Sequence, residues 1–222
     1  MKKNIIIIAL IILSAVIYFV YPREYVISSF STSLLDRDTA QKENIITAAE
    51  KINNITLKPG EIFSFNKIIG PRTSAGYDKA KTIVGGNIED ALGGGICQLS
   101  STVYNAALSA NLKIIERHPH NIIVHSVGPG LDATVSYGFY DLKFKNVYPF
   151  PVKINVKMNS NRLIISIVGA KGPSPLHNKI NIIVETIPTY NENKIHTRTL
   201  REITFANGEK TRELISDDFY QK

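Results

Sequence analysis

Three consecutive glycines, Gly93 to Gly95, run directly into a stretch of helical periodicity. Glycine is disfavoured inside a helix and adopts backbone conformations that other residues avoid, so the run marks a sharp entry into a helix. The apolar residues that follow recur every three or four positions: Ile96, Leu99, Val103, Ala106 and Ala110. This spacing predicts a helix over residues 96–110 with one face in the core. The chain therefore places Cys97 in the first turn of a core helix.

The remaining pattern is mostly that of strands. A second helix is predicted from the possible N-caps Asp38 and Thr39 through Asn53, and residues 71–95, rich in glycine and proline, are predicted to form a long loop. Strands are predicted over residues 24–34, 62–65, 112–116, 122–126, 133–139, 142–145, 152–158, 163–168, 180–187 and 197–216. The last range contains Asn207-Gly208, a type I′ hairpin signal. The predicted fold class is α+β, with the glycine-cysteine-headed helix packed on a mainly antiparallel β-sheet, after a single N-terminal transmembrane helix.

That transmembrane helix is predicted from the apolar run over residues 5–21, which follows Lys2 and Lys3. As a helix the run is about 26 Å long, enough to span a bilayer, and the two lysines favour a cytoplasmic N-terminus. Residues 1–22 are thus predicted to be an uncleaved signal-anchor. The expected location is the cell membrane, single-pass, with the C-terminal part extracellular and facing the cell wall. A cleaved signal peptide is the alternative, but it requires small residues after the apolar core, where this chain has Tyr21-Pro22.

Two domains are predicted after the anchor: a first over residues 23–170, and a β-rich C-terminal extension over residues 171–222, with a linker at 171–175. Twenty-six Lys and Arg against nineteen Asp and Glu give a net charge of +7, which suits an anionic cell surface. No nucleic-acid-binding module is recognisable, so no nucleic-acid partner is expected. The single cysteine excludes an intramolecular disulfide framework and a Cys-rich zinc site.

Cys97 is a candidate nucleophile because of its position. The N-terminus of a helix presents unpaired N–H groups and a partial positive charge, both of which stabilise a thiolate. Backbone amides near Cys97 and the side chain of Gln98 could donate to a developing oxyanion. The alternative is a small buried cysteine that only packs, and the residues alone leave both readings open.

A nucleophilic cysteine needs a base, and three histidines follow closely in the sequence: His118, His120 and His125. His118 and His120 are two residues apart, so both would point to the same side of the extended chain that Pro119 favours. Each could instead be a surface or capping residue, and His125 is the one expected to be a bystander.

A carboxylate is expected to orient the imidazole. Asp132, after Gly128-Pro129-Gly130, is the first candidate, and Asp141 is the second. No Glu or Asp lies at a familiar metal-ligand spacing from the histidines, so no metal site is predicted.

A longer pattern around Cys97 resembles the signature of VanW-like proteins. It runs from Ala91 to Leu108 as Ala-Leu-Gly-Gly-Gly-Ile-Cys-Gln-Leu-Ser-Ser-Thr-Val-Tyr-Asn-Ala-Ala-Leu. The match continues in the expected order with Glu-Arg-His-Pro-His at 116–120, Gly-Leu-Asp-Ala-Thr-Val at 130–135 and Asp-Leu-Lys-Phe-Lys-Asn at 141–146, and upstream with Pro-Gly-Glu-Ile-Phe-Ser-Phe at 59–65. The resemblance covers about residues 25–170.

The resemblance implies a cell-envelope protein that acts on peptidoglycan stem peptides. Some VanW domains are associated with L,D-transpeptidase activity that uses the cysteine of the Gly-Gly-Gly-Ile-Cys-Gln element. Carried over, Cys97 would form a thioester acyl-enzyme on the path to a 3→3 cross-link, with no cofactor. The implied base is His120, with His118 as second choice, and Asp132 would orient it. The candidate substrate or oxyanion contacts are Gly94, Gly95, Gln98 and Arg117.

Two other functions remain open under the same resemblance. One is a non-catalytic peptidoglycan-binding module or glycopeptide-resistance accessory protein, and the other is a cysteine peptidase that acts on stem peptides. The transferase and the peptidase differ only in whether an amine or water resolves the thioester. Protein partners are left open by the sequence.

Overall fold

The computed structural model describes residues 24–84, 86–170 and 178–222. Its helices are α1 (Thr39–Ile52), α2 (Phe65–Ile69) and α3 (Ile96–Ser109). The first strands are β1 (Glu24–Ser33), β2 (Thr56–Leu57), β3 (Ile62–Ser64), β4 (Lys79–Val84), β5 (Asn87–Leu92) and β6 (Lys113–Glu116). The later strands are β7 (Lys143–Lys145), β8 (Val152–Met158), β9 (Arg162–Ala170), β10 (Lys179–Ile187), β11 (Lys194–Thr204) and β12 (Lys210–Gln221).

These strands form four sheets in which every pairing between the named strands is antiparallel. The largest sheet has the order β1-β9-β8-β2, a second has the order β3-β7-β6, the hairpin β4-β5 stands alone, and the last has the order β10-β11-β12. The chain reverses between β11 and β12 at Asn207-Gly208, as the sequence predicts. Of these two residues only Gly208 has a positive φ, +85°, so the turn is not type I′.

Helix α3 lies at the centre of the molecule. It packs on β1 and β9 of the four-stranded sheet and against α1. All of its residues are buried except Cys97 and Ser109, which are partly exposed. A helix that is buried on nearly every side needs partners for its polar side chains as well as its apolar ones. Helix α1 is stabilised at its start by a capping box, in which Asp38 accepts from the Gln41 N–H and the Gln41 side chain accepts from the Asp38 N–H.

The predicted α+β class is wrong, because the protein is mostly β: over the described residues it has 45% strand and 17% helix. One reason lies in residues 71–95, which were predicted to be a loop but contain the β4-β5 hairpin. Its residues Thr82, Ile83 and Ile88 are typical of strands, but the flanking glycines obscure that pattern.

Two predicted strands, over residues 122–126 and 133–139, are absent from the named strands of the structure. The segment between β6 and β7 is irregular and carries only single bridges, such as that of His118 with Thr134. At Ala133 side chains of α3 take the place of a neighbouring strand, since Ser100 donates to its carbonyl and Ser101 accepts its N–H. Backbone groups satisfied in this way need no neighbouring strand.

The predicted single-pass membrane location is not supported by the structure. None of the helices in residues 24–84, 86–170 and 178–222 is long and apolar enough to cross a bilayer. The predicted anchor at residues 5–21 and the predicted linker at 171–175 both lie outside the described residues. The domain boundaries therefore remain predictions.

Candidate active site

The three glycines before α3 allow its N-terminus to approach two other elements closely. A Cβ atom on Gly94 would lie 2.6 Å from the carbonyl oxygen of Ala80 in β4. Gly95, the N-cap, has a φ of +98°, and a Cβ there would lie 2.9 Å from the carbonyl oxygen of Gln41 in α1. Gly94 and Gly95 thus seat the helix end between β4 and α1.

Cys97 lies in the first turn of α3 and is partly exposed. Its Sγ atom is 3.8 Å from Oγ1 of Thr134 and 3.7 Å from the carbonyl oxygen of Val135. The N–H groups of Ile96 and Gln98 donate to the carbonyls of Gly93 and Gly95. The Cys97 N–H has no hydrogen-bond partner within the described part of the chain, which leaves it as a free donor beside the thiol.

His120 and Asp132 form the second half of the site. The Nδ1 atom of His120 lies 2.6 Å from Oδ2 of Asp132, and the same oxygen accepts the His120 backbone N–H at 2.6 Å. The ionised carboxylate accepts the Nδ1 proton, so Nε2 is the nitrogen that remains for Cys97. His120 is 6% exposed and Asp132 is fully buried. The structure therefore brings together the three residues that the sequence analysis put first: Cys97, His120 and Asp132.

The pKa values of Cys97 and His120 move in opposite directions. Burial alone would raise the pKa of Cys97, but the interaction with His120, the charge of Arg72 and the Val135 carbonyl contact lower it to about 7. Burial alone would lower the pKa of His120, but its hydrogen bond to Asp132 and its interaction with Cys97 raise it to about 9. Between these values the pair is a thiolate and an imidazolium, the reactive form of a cysteine nucleophile.

Asp132 is held in its charged form from several sides. Burial would raise its pKa, but the hydrogen bond from His120, the charge of Arg117 and the hydrogen bond from Tyr220 lower it. Its Oδ1 atom accepts from Nη2 of Arg117 at 2.8 Å and from the hydroxyl of Tyr220 at 2.7 Å. A carboxylate with both oxygens hydrogen-bonded stays ionised and fixes the imidazole it faces.

Two sequence-predicted contacts have other roles in the structure. Arg117 is buried and directs its guanidinium to Asp132 and Asp218, so it supports Asp132 instead of contacting a substrate. Gln98 is buried, and its Nε2 donates to Oγ1 of Thr32 and the carbonyl of Ser33, which leaves it no free donor for an oxyanion. Sequence reasoning assigned both by proximity to the signature residues, which does not reveal buried partners.

His118 and Asp141, the second choices for base and orienting acid, lie outside the site. Nε2 of His118 is 3.1 Å from a carboxylate oxygen of Glu116, and its ring packs against Tyr140. Asp141 accepts hydrogen bonds from the Ser64 hydroxyl and the Asn66 N–H at the start of α2. The structure therefore favours His120 as the base.

The polar residues of the α3 signature hold the segment that carries Asp132. Ser100 donates to the carbonyl of Ala133 at 2.6 Å, Ser101 accepts from the Ala133 N–H at 2.9 Å, and Asn105 donates to the carbonyl of Leu131 at 2.6 Å. Because these bonds flank Asp132 on both sides, the helix that carries Cys97 also positions Asp132.

A cleft of about 440 Å³ opens above Cys97 and His120. One wall is the loop before α1, with Asp36 and Arg37, a second is the β4-β5 hairpin, and a third is the segment 122–126, which includes the exposed His125. The hairpin and the last segment contribute apolar side chains: Ile83, Ile88, Ile122, Ile123 and Val124. The cleft is large enough for a peptide segment and has both apolar and charged walls.

Arg72 and Tyr220 are functional candidates that sequence reasoning missed. Nη2 of Arg72 donates at 2.9 Å to the carbonyl of Val135, the same oxygen that Sγ of Cys97 approaches. Arg72 lies in the glycine-rich segment before β4 and Tyr220 near the end of the chain, and no local pattern marks either one. Among the described residues, no group of three His, Cys, Asp or Glu side chains is arranged to hold a metal ion.

Comparison with known proteins identifies the family. The model of the VanW-like protein family matches residues 40–168, so the chain belongs to that family. It is 36% identical over 167 residues to "Uncharacterized protein YoaR" of Bacillus subtilis (strain 168), a match that covers 70% of this chain and 55% of the relative. It is 30% identical over 145 residues to "Vancomycin B-type resistance protein VanW" of Enterococcus faecalis (strain ATCC 700802 / V583), covering 62% of this chain and 52% of the relative.

The chain thus spans about half the length of the curated relatives it matches. No solved structure matches it. The family match includes Cys97, His120 and Asp132 but ends before β10, so the last sheet lies beyond it.

Proposed function

We propose that this protein is a cysteine acyltransferase that acts on peptidoglycan stem peptides as an L,D-transpeptidase. The observation that carries the proposal is that Cys97 and His120 line the cleft while the buried carboxylate of Asp132 holds Nδ1 of His120. A cysteine paired with a histidine whose tautomer is fixed by a buried carboxylate is suited to attack on an amide carbonyl. The peptidoglycan substrate is supported by the family resemblance and by a relative named for vancomycin resistance.

The first half-reaction would form a thioester. The Cys97 thiolate attacks the carbonyl carbon of the third residue of a tetrapeptide stem, and the carbonyl oxygen takes up the negative charge. The Cys97 N–H is the donor best placed to stabilise that oxyanion. The imidazolium of His120 gives its Nε2 proton to the nitrogen of the terminal D-alanine, the C–N bond breaks, and D-alanine leaves.

The second half-reaction would form the cross-link. An amine from a neighbouring stem attacks the thioester carbonyl and loses a proton to the now neutral His120. The C–S bond then breaks and restores the thiolate and imidazolium pair, and the new amide joins two third residues. If water takes the place of the amine, the same steps give a hydrolase.

Arg37 is the residue best suited to bind the carboxylate of the leaving D-alanine. It lines the cleft, and its Nε donates at 2.6 Å to Oε1 of Gln98, whose amide is itself held by Thr32 and Ser33. Among the described residues no carboxylate lies within 4.0 Å of the Arg37 guanidinium nitrogens. A positioned guanidinium without an ion-pair partner beside the nucleophile fits a planar carboxylate of the substrate.

The proposal is tested by incubating the protein with tetrapeptide-containing muropeptides and following both the intact protein mass and the products. The expected result is an acyl adduct on Cys97, release of D-alanine and accumulation of 3→3 dimers, all absent in Cys97→Ala. The matched control is Ser109→Ala, which changes the other partly exposed residue of α3 and should behave as the wild type. An adduct resolved only by water would replace the transferase with a hydrolase, and the absence of any adduct would contradict catalysis on this substrate.

A further inference from the structure

The last strand, β12, reaches the candidate active site although it lies outside the region matched by the family model. Gln221 forms a parallel bridge with Ile122, and its N–H donates at 2.8 Å to the carbonyl of Asn121. Asn121 follows His120 directly in the chain. The end of the C-terminal sheet is therefore attached to the segment that carries the proposed base.

Tyr220, the neighbouring residue on β12, is buried against Asp132. Its side chain is 1% exposed, and its hydroxyl donates at 2.7 Å to Oδ1 of Asp132. The Tyr220 hydroxyl oxygen in turn accepts the Gly130 N–H at 2.8 Å and lies 3.2 Å from Nη2 of Arg117. The Tyr220 hydroxyl thus binds one carboxylate oxygen of Asp132, Oδ1, while the other, Oδ2, holds His120.

Asp218, two residues before Tyr220 on β12, supports the same cluster. Its Oδ2 atom accepts from Nη1 of Arg117 at 2.5 Å and from the Ser216 hydroxyl at 2.8 Å. Arg117 in turn donates through Nε to the Asp132 carbonyl at 2.6 Å and through Nη2 to its carboxylate. Arg117 is therefore clamped between Asp132 and Asp218, with both side chains nearly inaccessible to solvent.

We infer that Tyr220 and Asp218 are positioning residues for the His120–Asp132 pair, so that the C-terminal sheet completes the active site. The inference rests on the proposed function only in that His120 serves Cys97, and it does not depend on the identity of the substrate. A purely structural attachment of β12 would require the bridge between Gln221 and Ile122 but not a phenol hydroxyl directed at Asp132. Nor would it require a second carboxylate to hold the arginine that holds Asp132.

The direction of the effect follows from the hydrogen bonds. Tyr220→Phe removes one of the groups that stabilise the Asp132 charge, so the pKa of Asp132 rises and its hold on the His120 imidazolium weakens. The pKa of His120 then falls, and the pKa of Cys97 rises, because the two groups stabilise each other's charges. Since Cys97 is the only cysteine, its alkylation rate reports this change without background from other thiols.

The test measures the rate of iodoacetamide alkylation against pH in the full chain. In Tyr220→Phe the midpoint of the profile should move up by about half a pH unit or more. Two matched controls should leave it unchanged: Tyr148→Phe, which removes a buried hydroxyl bonded at 2.7 Å to the Ala110 carbonyl, and Tyr190→Phe, which changes a fully exposed tyrosine. A Tyr220→Phe midpoint equal to that of the wild type would overturn the inference.

Thermal unfolding of the same variants separates positioning from loss of fold. Tyr220→Phe and Tyr148→Phe each lose one buried hydroxyl, so we expect a comparable loss of stability in the two variants. If only Tyr220→Phe also shifts the midpoint of the alkylation profile, the shift comes from positioning and not from loss of fold. If Tyr220→Phe does not fold, Asp218→Asn is the second variant, because it keeps the shape of the side chain and removes its charge from Arg117. An unshifted alkylation midpoint in Asp218→Asn also overturns the inference. A shift of the alkylation midpoint in Tyr220→Phe, found together with no muropeptide adduct in the wild type, would contradict the proposed substrate but support this inference.

Discussion

A single oxygen of Asp132, Oδ2, accepts two hydrogen bonds from His120, one from the backbone N–H and one from Nδ1, each 2.6 Å long. The double contact fixes both the position of the residue and the orientation of its ring. It leaves Nε2 as the ring nitrogen free to interact with Cys97 and keeps a negative charge behind the imidazole. The reactivity of the lone cysteine in this chain therefore depends on a residue 35 positions later in the sequence.

Replacing His120 should remove most of the thiolate at neutral pH. With a pKa of about 7, half of Cys97 is ionised at pH 7, and with the ordinary value of 9.0 only about 1% is. His120→Gln should therefore lower the alkylation rate at pH 7 by about 50-fold or more. His118→Gln, at the partly exposed histidine paired with Glu116, is the control and should stay within about twofold of the wild type. Equal rates in the two variants would contradict the assignment of the base.

Arg72 should contribute to the same ionisation through its charge. Its guanidinium donates to the Val135 carbonyl and lowers the pKa of Cys97, although less than His120 does. Arg72→Gln is expected to move the midpoint of the alkylation profile to higher pH, while Arg72→Lys, which keeps the charge, should move it less. If Arg72→Gln alkylates with the wild-type profile, the charge of Arg72 does not act on the thiol.

The sequence put Cys97, His120 and Asp132 first as candidate nucleophile, base and orienting acid because those residues lie in dense local patterns, and the structure brings the three together. The glycine run places Cys97 at a helix start, and the short segment from His118 to Asp132 holds the ionisable partners. The residues that hold Asp132 from the far side could not be found in this way, since Tyr220 is 88 positions away from it and meets it only after β12 is built.

The same limit explains the errors in the fold. The β-branched residues in 122–126 and 133–139 predict strands, but the structure has only single bridges there. Around Asp132 the backbone of Leu131 and Ala133 is bound by Ser100, Ser101 and Asn105 and not by a neighbouring strand. A periodic pattern records which residues suit a strand, and it does not record that another element supplies the backbone partners. The candidates Cys97 and His120 could thus be proposed from local patterns, whereas the class of the fold and the shell around Asp132 depend on contacts between distant elements.

Gly94 should be required for the seating of α3. A methyl group there would lie 2.6 Å from the Ala80 carbonyl oxygen and 2.7 Å from that of Lys81, both backbone atoms that cannot turn aside. Gly94→Ala is expected to destabilise the protein by about 2–3 kcal/mol and to lower the alkylation rate of Cys97. Gly76→Ala, at a glycine with no heavy atom within 4 Å of the added Cβ, is the control in thermal unfolding. A Gly94→Ala protein as stable as Gly76→Ala would show that β4 moves to accommodate the methyl group.

Arg37 should determine whether a free carboxylate is required on the acyl donor. Arg37→Gln is expected to raise KM for the tetrapeptide donor by about 10–100-fold, because a charged hydrogen bond is lost, and to leave Cys97 alkylation unchanged. The wild type should also prefer a donor with a C-terminal carboxylate over its amide, and Arg37→Gln should lose that preference. Lys81→Gln, at an exposed lysine of the same cleft, is the control. An undiminished preference in Arg37→Gln would place the carboxylate elsewhere.

The central claim is that Cys97 is held as a thiolate by His120, and the pH dependence of its alkylation in the wild-type protein tests it most directly. Because the folded pKa is lowered, the thiolate should be present above pH 7 and be lost as the pH falls through that value. We predict a rate that rises with a midpoint near pH 7 and is already close to its maximum at pH 8. A midpoint near 8.5–9, the value of a free thiol, would contradict the account.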